Sequence, residues 1–308
     1  MCLRIISHQI AGLPGGRVPT NILDEYSVVE PTRQASLDIF AGEWISHVPG
    51  FESGSLPLFT DPRIAWLGEH AGGFAGKRIL ELGPLECGHT FLMARAGATH
   101  ITSIESNIRA FMKCLIVKEA LGFSADIYLG DFRQYIQRTD QRFDFVLASG
   151  VLYHMEDPVE LLEGLSRITD RFGVWTHYYE PSALAERPHL SRRFDPRPRV
   201  ESYHGRTVVT HTQRYLEVLK DNTFCGGTAR GSRWMTKDSL LGVLDSLGFD
   251  VDYVSASNIQ FRPTPQPDKA RLSEVDANGN LLFEMSVLSD ILGTVVYRAE
   301  KLPLFSQP

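Results

Sequence analysis

The stretch Lys77-Arg-Ile-Leu-Glu-Leu-Gly-Pro-Leu-Glu-Cys-Gly-His-Thr90, followed by a second acid at Glu105, decides how this chain folds. Arg78 to Leu82 reads as a buried strand, Gly83 as a tight turn, and a helix starts near His89. A second short strand, Ile101 to Ile104, carries Glu105 at its carboxyl end. This is the first half of a nucleotide-binding α/β sheet. The loop after strand one faces the ligand, and an acid after strand two reaches ribose hydroxyls. A carboxylate suits that task because its two oxygens accept both hydrogens of a vicinal diol.

Strand and helix signals then alternate. Asn107 to Leu121 carries apolar residues at helical spacing and stops at Gly122. Strand three is Ala125 to Leu129, ending in Gly130-Asp131-Phe132, and strand four is the nearly all-apolar Phe143 to Ala148. Asp157-Pro158 supplies a cap and a first-turn proline for a helix to about Ile168, and strand five is Phe172 to Tyr178. Such a rhythm gives a parallel sheet with right-handed crossovers. Its crevice lies at the strand carboxyl ends, where Gly83, Glu105, Asp131, Ser149 and Tyr178 fall.

The rhythm breaks after Tyr178. Residues 180 to 233 are rich in Pro, Arg and His, with a hairpin (Val200–Tyr203 and Thr207–Thr210) turning at His204-Gly205. Thr236 caps a helix from Lys237 to Leu247; strands follow at Phe249 to Ala256, Leu281 to Met285 and Gly293 to Arg298. Upstream, Gln34 to Ile45 reads as helical, Pro49 to Asp61 as loop, and Arg63 to Glu69 as a second helix, together packing over the mouth of the sheet. Four segments result: an N-terminal helical cap (1–75), a Rossmann-like core (76–180), an inserted lid (181–235) and the C-terminal part of the core sheet (236–308).

Composition narrows the function. At 308 residues and 43% apolar content the chain builds a real core, and a net charge of −6 argues against a nucleic-acid binder. Cysteines at 2, 87, 114 and 225 lack paired spacing and no signal peptide is evident, so reduced thiols in a cytoplasmic protein are expected. No apolar run is long enough for a membrane span. No glycine-rich loop ends in Gly-Lys-Ser/Thr, no Gly-x-Ser-x-Gly elbow occurs, and the histidines show no ligand spacing, so no metal is expected.

Glu81-Leu-Gly83, Ile104-Glu105-Ser-Asn107, Gly130-Asp131-Phe132 and Ser149-Gly-Val-Leu-Tyr-His154 with Asp157-Pro158 resemble the class I S-adenosylmethionine-dependent methyltransferases. The Gly-Val-Leu-Tyr-His element and the Gly88-His89 pair look most like the branch with the tRNA-uridine carboxymethyltransferases. One departure stands out. The family loop has glycines at alternate positions; here Leu85 and Cys87 occupy two of them, and Gly88 comes one later. The same substitutions break the three-glycine fingerprint that a nicotinamide dinucleotide needs.

The resemblance implies a doubly wound, mostly parallel seven-stranded sheet with an antiparallel last strand, and S-adenosylmethionine as cofactor. It also implies residue roles. Glu81, Gly83 and the adjoining Pro84 would hold the methionyl end, and Glu105 with Ser106 the ribose. Asp131 and the Phe132 peptide would read adenine, and Ser149 to Gly150 would form the floor under the sulfonium. Methyl transfer needs alignment above all, and a hydroxyl acceptor also needs a base. His154, just past strand four, is the candidate base; its other reading is a packing histidine. Tyr153 reads as core. Alternation sends His177 and Tyr179 to one face and Tyr178 to the other, so Tyr178 or Tyr179 reaches the pocket, or both merely pack under the insertion.

From Glu186 to Arg214 seven arginines (187, 192, 193, 197, 199, 206, 214) face three acids, reading as a solvated face or as a site for a small anionic acceptor. Phe40 and Trp44 are read as anchors of the first helix. The expectation is a methyltransferase acting at oxygen or nitrogen of a small molecule, with no membrane partner, a nucleic acid disfavoured and a homodimer compatible. The alternatives are aminocarboxypropyl transfer or ring closure from the same sulfonium, RNA modification, and a non-catalytic binding module.

Overall fold

The structure is a computed structural model that describes residues 26–185, 188–215, 229–255, 258–265, 272–274, 284–287 and 295–298. Five strands lie parallel at its centre: β1 (Arg78–Leu82), β2 (His100–Glu105), β3 (Asp126–Leu129), β4 (Phe145–Ser149) and β5 (Phe172–His177). Beyond β5 come β9 (Phe249–Ser255), β10 (Asn258–Pro265) and β11 (Leu272–Glu274), and the eight-stranded order is β11-β9-β10-β5-β4-β1-β2-β3. β1 sits between β2 and β4, so the chain reverses direction of travel there and leaves a crevice at the carboxyl ends.

Alternation along the strands divides the core into two layers. Leu80, Leu82, Val146, Ala148 and Val174 pack with Ile136 of α5 (Phe132–Arg138), Leu162 and Leu165 of α6 (Pro158–Ile168), and Leu240 and Leu244 of α9 (Lys237–Ser246). On the other face Ile79, Ile101, Phe145 and Leu147 meet Ile64 and Leu67 of α2 (Pro62–His70) and Met93 of α3 (Gly88–Arg95). Each such aliphatic side chain contributes about 1.5–3 kcal/mol by leaving water. The caps read from sequence hold: Asp157 accepts the Glu160 N–H and Thr236 that of Ser239; the structure adds Asn107, which accepts the Ala110 N–H at the start of α4 (Ile108–Leu121).

Three expectations change. The antiparallel strand of the sheet is β10 at 258–265, lying inside the sheet between β5 and β9, whereas Gly293 to Arg298 contributes β13 (Val295–Arg298), paired with β12 (Glu284–Val287) in a separate two-stranded sheet. The helix expected over 34–45 is short: α1 (Arg33–Leu37) gives way to a single 3-10 turn, and Trp44 lies beyond it. The insertion adds α7 (Pro181–Ala185), α8 (Pro188–Ser191) and a three-stranded sheet, not a lone hairpin. In it β7 (Arg206–Arg214) pairs with both β6 (Arg199–Tyr203) and β8 (Gly231–Met235). The His204-Gly205 turn has both residues at positive φ (47° and 78°), as a two-residue hairpin loop requires.

The N-terminal segment does more than cover the sheet. The Glu86 carboxylate, in the loop after β1, accepts the peptide N–H groups of Ile45 (3.1 Å) and Ser46 (2.7 Å) and pairs with Lys113 of α4 at 2.9 Å. Both charged side chains are buried, at 0% and 6% exposure, and Lys113 also donates to the Glu43 carbonyl. Phe40 and Trp44 pack edge to face beside this ammonium, and the Trp44 indole donates to the Leu37 carbonyl, so both rings anchor the segment. Removing one partner of a buried pair strands the other charge at a cost of about 3–5 kcal/mol. Lys113→Met is therefore expected to lower unfolding stability in denaturant by about 3 kcal/mol, and a loss below about 1 kcal/mol would contradict this placement.

Candidate functional site

The turn after β1 shows how Leu85 and Cys87 replace glycine. Both hold left-handed backbone, with φ of 56° and 60°, the conformation glycine supplies without strain. That costs about 1–2 kcal/mol per residue and needs outside restraint. Leu85 is clamped on both sides: its N–H donates to Glu105 Oε2 at 3.1 Å, and its carbonyl accepts the Cys114 thiol at 3.3 Å. Cys87 donates its N–H to the Pro84 carbonyl at 2.8 Å and buries its side chain fully among Phe59, Cys114 and Val117. The glycine moves to 88 because a Cβ there would lie 2.8 Å from the Leu58 side chain and 2.9 Å from its backbone.

Two acids face this turn from adjacent strands. Glu81 is 2% exposed and accepts hydroxyl hydrogens from Ser103 (2.9 Å) and Thr90. Burial pushes its carboxyl above the ordinary range, opposed by nearby His89 and by the two hydroxyls. Glu105, 4% exposed, accepts the Asn107 N–H at Oε1 (2.8 Å) as well as that of Leu85; burial raises its carboxyl too, against those peptide bonds, and Glu81 adds to the rise. Gly83 has φ 64°, and a Cβ there would strike Val151 at 2.8 Å, so the loops after β1 and β4 touch. Pro84 is buried beside it, while Ser106 is exposed at the rim.

A third acid, Asp61, caps α2 and was not read from the sequence as functional. It binds the Arg63 guanidinium through Nε (3.0 and 2.9 Å) and His89 Nε2 at 2.8 Å. Burial alone would raise its carboxyl, but the Arg63 charge and the His89 hydrogen bond hold it well below the carboxylate range. Arg63 lies 4.7 Å over the Trp175 ring at the end of β5.

Aromatic side chains fill the other half of the crevice. Ser149 ends β4, and a Cβ on the next residue, Gly150, would sit 3.7 Å from the Tyr153 hydroxyl and 3.9 Å from the Trp175 ring. Tyr153, expected in the core, is thus turned toward the floor, with ring centroids 4.6 Å from His177 and 5.9 Å from Trp234. His177 stacks on Trp234 at 5.1 Å, and Tyr179 stacks on His211 at 3.4 Å. Phe194 touches both Tyr179 and Trp234. The indole N–H groups of Trp175 and Trp234 and Nδ1 of His211 are buried without a hydrogen-bond partner among the described residues.

The sequence-predicted residues divide accordingly. Glu81, Gly83, Pro84, Glu105 and Ser149 converge on the crevice between β1 and β4. Asp131 caps α5, and each of its oxygens receives N–H groups of Arg133; burial opposes ionisation, but those bonds hold its carboxyl low. The Phe132 side chain is core. Tyr178 belongs to the core as well, on the opposite side of the chain from His177 and Tyr179, as strand alternation dictates. His154 Nδ1 lies 2.8 Å from the Tyr215 hydroxyl, which arrives from the insertion. Of the arginines read as a solvated face or an anion site, 197 and 214 pair with Asp195, 199 with Glu201 and 206 with Asp245, a solvated ion-paired face; Arg192 is exposed, Arg193 is half-buried, and Arg187 lies outside the described residues. Cys2 and Cys225 also lie outside them. No described helix is long and apolar enough to cross a membrane.

A switch-point crevice lined by buried acids and a glycine turn marks a Rossmann-like, ligand-binding α/β domain. Residues 80–175 match the family model described as a methyltransferase domain. Similar proteins include the ubiquinone biosynthesis O-methyltransferase of Aeromonas salmonicida, 26% identical over 143 residues (46% of this chain, 58% of that one). The tRNA U34 carboxymethyltransferase of Alcanivorax borkumensis is 30% identical over 122 residues, 36% of each chain. Thus the chain spans under two thirds of the length of either relative. Among solved structures, the N-terminal domain of EvdMO1 with SAH bound aligns over 76% of this chain and 95% of its own, at 23% identity and TM-score 0.56. Residues 80–175 of this chain thus match a methyltransferase domain, and the likeness to EvdMO1 shows a shared fold.

Burial and neighbouring His177 lower the His154 pKa from 6.5 to about 3. The unfolded chain therefore binds a proton that the folded one refuses, so this contribution is complete above about pH 6.5 and is lost as pH falls toward 3. It amounts to at most about 1.4 kcal/mol per pH unit. Denaturant unfolding of His154→Gln between about pH 7 and 4 is expected to show a shallower loss of stability than wild type; coincident slopes would mean the ring is not held neutral.

Proposed function

We propose that the chain binds S-adenosylmethionine at the carboxyl ends of its parallel strands and methylates an oxygen or nitrogen of a small acceptor held under the insertion. One observation carries this reading: Glu81 and Glu105, both buried, flank a glycine turn at the sheet's switch point. Two carboxyls raised by burial favour a cationic ligand, because a positive charge beside them restores their ionised forms. Glu105 accepts the peptide N–H groups of Leu85, Asn107 and Ser106, and its remaining acceptor capacity faces the crevice where a ribose hydroxyl would bind. Glu81, with the Gly83 backbone, suits the methionyl ammonium, and the Phe132 peptide N–H suits an adenine nitrogen. Asp131 enters as the cap of α5 and the partner of Arg133.

When bound, the sulfonium supplies an activated methyl with a neutral leaving group. The chain's part is then alignment over Ser149 and Gly150, and removal of the acceptor's proton. His154 is neutral at physiological pH and so open to a proton, but the burial that lowers its pKa to about 3 makes it a weak base until charge leaves the sulfonium. The pocket carries one positive charge before the transfer and one, on the imidazole, after it, so the ring's burial is offset as the reaction proceeds. The walls of Tyr153, Trp175, His177 and Trp234, with buried indole donors, suit an acceptor having a flat apolar face and oxygen acceptors at its edge. Ion pairing at Arg197, Arg199, Arg206 and Arg214 weighs against an open track for RNA.

Glu105→Ala is expected to weaken S-adenosylhomocysteine binding at least tenfold by calorimetry, since charge-assisted hydrogen bonds are worth about 1.5–3 kcal/mol. Unchanged affinity removes the ribose assignment. The activity itself is tested by mass spectrometry of acceptor pools incubated with methyl-labelled cofactor. Labelled product with S-adenosylhomocysteine supports methylation, methylthioadenosine transfers the reading to aminocarboxypropyl chemistry, and label confined to RNA overturns the small-molecule acceptor.

A further inference from the structure

The sheet ends at β3, and no described strand pairs with the far side of that strand. Its open groups follow from the ladder on the near side. The Gly130 N–H donates to the Glu105 carbonyl at 2.9 Å, so Tyr128 and Asp126, at alternate positions, also turn their peptide groups toward β2. Ile127 and Leu129 therefore turn theirs outward, one N–H and one carbonyl each. Natural edges are blunted by lysine, proline, a bulge or inward-pointing charge. Here the single charge, Asp126, stands at the first position and faces His100 at 3.5 Å, while Tyr128 and Leu129 are bare, at 50% and 48% exposure. The helix beside them is bare as well. α4 crosses from β2 to β3 and touches both, and Ile108, Met112 and Leu115, at i, i+4 and i+7, are exposed by 68%, 39% and 38%. Five large apolar side chains exposed among the described residues thus share one edge of the molecule.

We infer that this edge is the interface for a second copy of the chain, β3 pairing antiparallel with the same strand of its partner about a two-fold axis at Tyr128. Ile127 then faces the partner's Leu129, and Leu129 the partner's Ile127. Each pair exchanges two peptide hydrogen bonds, so every outward N–H and carbonyl of the strand is satisfied. Tyr128 meets the partner's Tyr128 on the other face as the close, non-hydrogen-bonded pair. Self-complementarity selects a second copy as the occupant: donors meet acceptors and apolar groups meet apolar groups under one symmetry operation. The charges at the rim do not oppose it, since Arg109 is neutralised by Glu43 and Arg133 by Asp131, both at 2.7 Å. The helices fit too. Strands pair about 4.8 Å apart and α4 lies over the gap between β2 and β3, so the axis sets the two α4 helices about 10 Å apart, an ordinary packing distance. Dimerisation leaves the insertion free, because it follows β5 toward the other end of the sheet, and it braces the strands that end in Glu105 and Asp131. It stands whatever the crevice binds.

The test is sedimentation velocity of the full chain over a micromolar concentration range, where wild type is expected to run as a dimer. Tyr128→Lys and Tyr128→Glu each set like charges against one another at the axis and are expected to raise the dimer dissociation constant at least about tenfold. An equimolar mixture of the two restores association, because lysine then faces glutamate. Tyr128→Cys brings two Cα atoms to about 4.5 Å, within disulfide range, and is expected to give on mild oxidation a covalent dimer that wild type does not give. A monomeric wild type overturns the inference, as does a dimer that both charged variants leave at wild-type affinity, or a mixture no more associated than either variant alone. The cysteine variant decides the matter even where a charged variant fails to fold: if it yields no more covalent dimer than wild type, β3 is not the interface.

Discussion

The Glu86 carboxylate is the contact on which the rest of the site depends. It joins the loop after β1, the helix α4 and the N-terminal segment in one buried set of hydrogen bonds to Lys113, Ile45 and Ser46. An isolated buried charge is expensive, so the pair forms only if all three elements arrive together. Their arrival clamps the loop. With Leu85 bonded to Glu105 and Cys114, and Leu58 crossing Gly88, two non-glycine residues stay in left-handed backbone. Strain of that kind persists where surroundings over-determine it. The same clamp gives Glu105 its geometry, because one of the bonds that holds the loop ends on its carboxylate.

The opposite half of the crevice follows from the end of β5. Side chains alternate there, so Trp175, His177 and Tyr179 share one side while Tyr178 goes into the core under α9. The insertion then builds on the exposed aromatic side. β7 and β8 bring His211, Trp234 and Tyr215 to rings already set by the core. Neither part builds this aromatic cluster alone: the core contributes Tyr153, Trp175 and His177, the insertion His211, Trp234 and the Tyr215 hydroxyl that meets His154.

Much of this was legible from local patterns. The parallel strands, the caps at Asp157 and Thr236, and the His204-Gly205 hairpin turn were read close to their observed positions, because each depends on residues adjacent in sequence. The first helix was overextended because its apolar spacing continues to Trp44, while tertiary contacts of Phe40 and Trp44 with Lys113 end it early. The antiparallel strand was placed at 293–298, since apolar β-branched runs look alike and only pairing with β5 distinguishes 258–265. Asp61 reads from sequence only as the end of a loop; nothing near it in sequence announces Arg63 over Trp175 or the bond to His89.

What the amino-acid order determined unaided is the scaffold and its chemical inventory: a parallel sheet with acids after the first two strands, a glycine turn, and a histidine after the fourth. Those features rest on periodicity and capping, which act over a few residues. Partnership was decided only by the tertiary structure. Whether Leu85 can stand where a glycine is expected, which face Tyr153 takes, and which hydroxyl meets His154 depend on contacts between residues 20 or more positions apart. Packing and buried hydrogen bonds settle such questions, because a polar group taken from water must find its partner wherever the fold brings one.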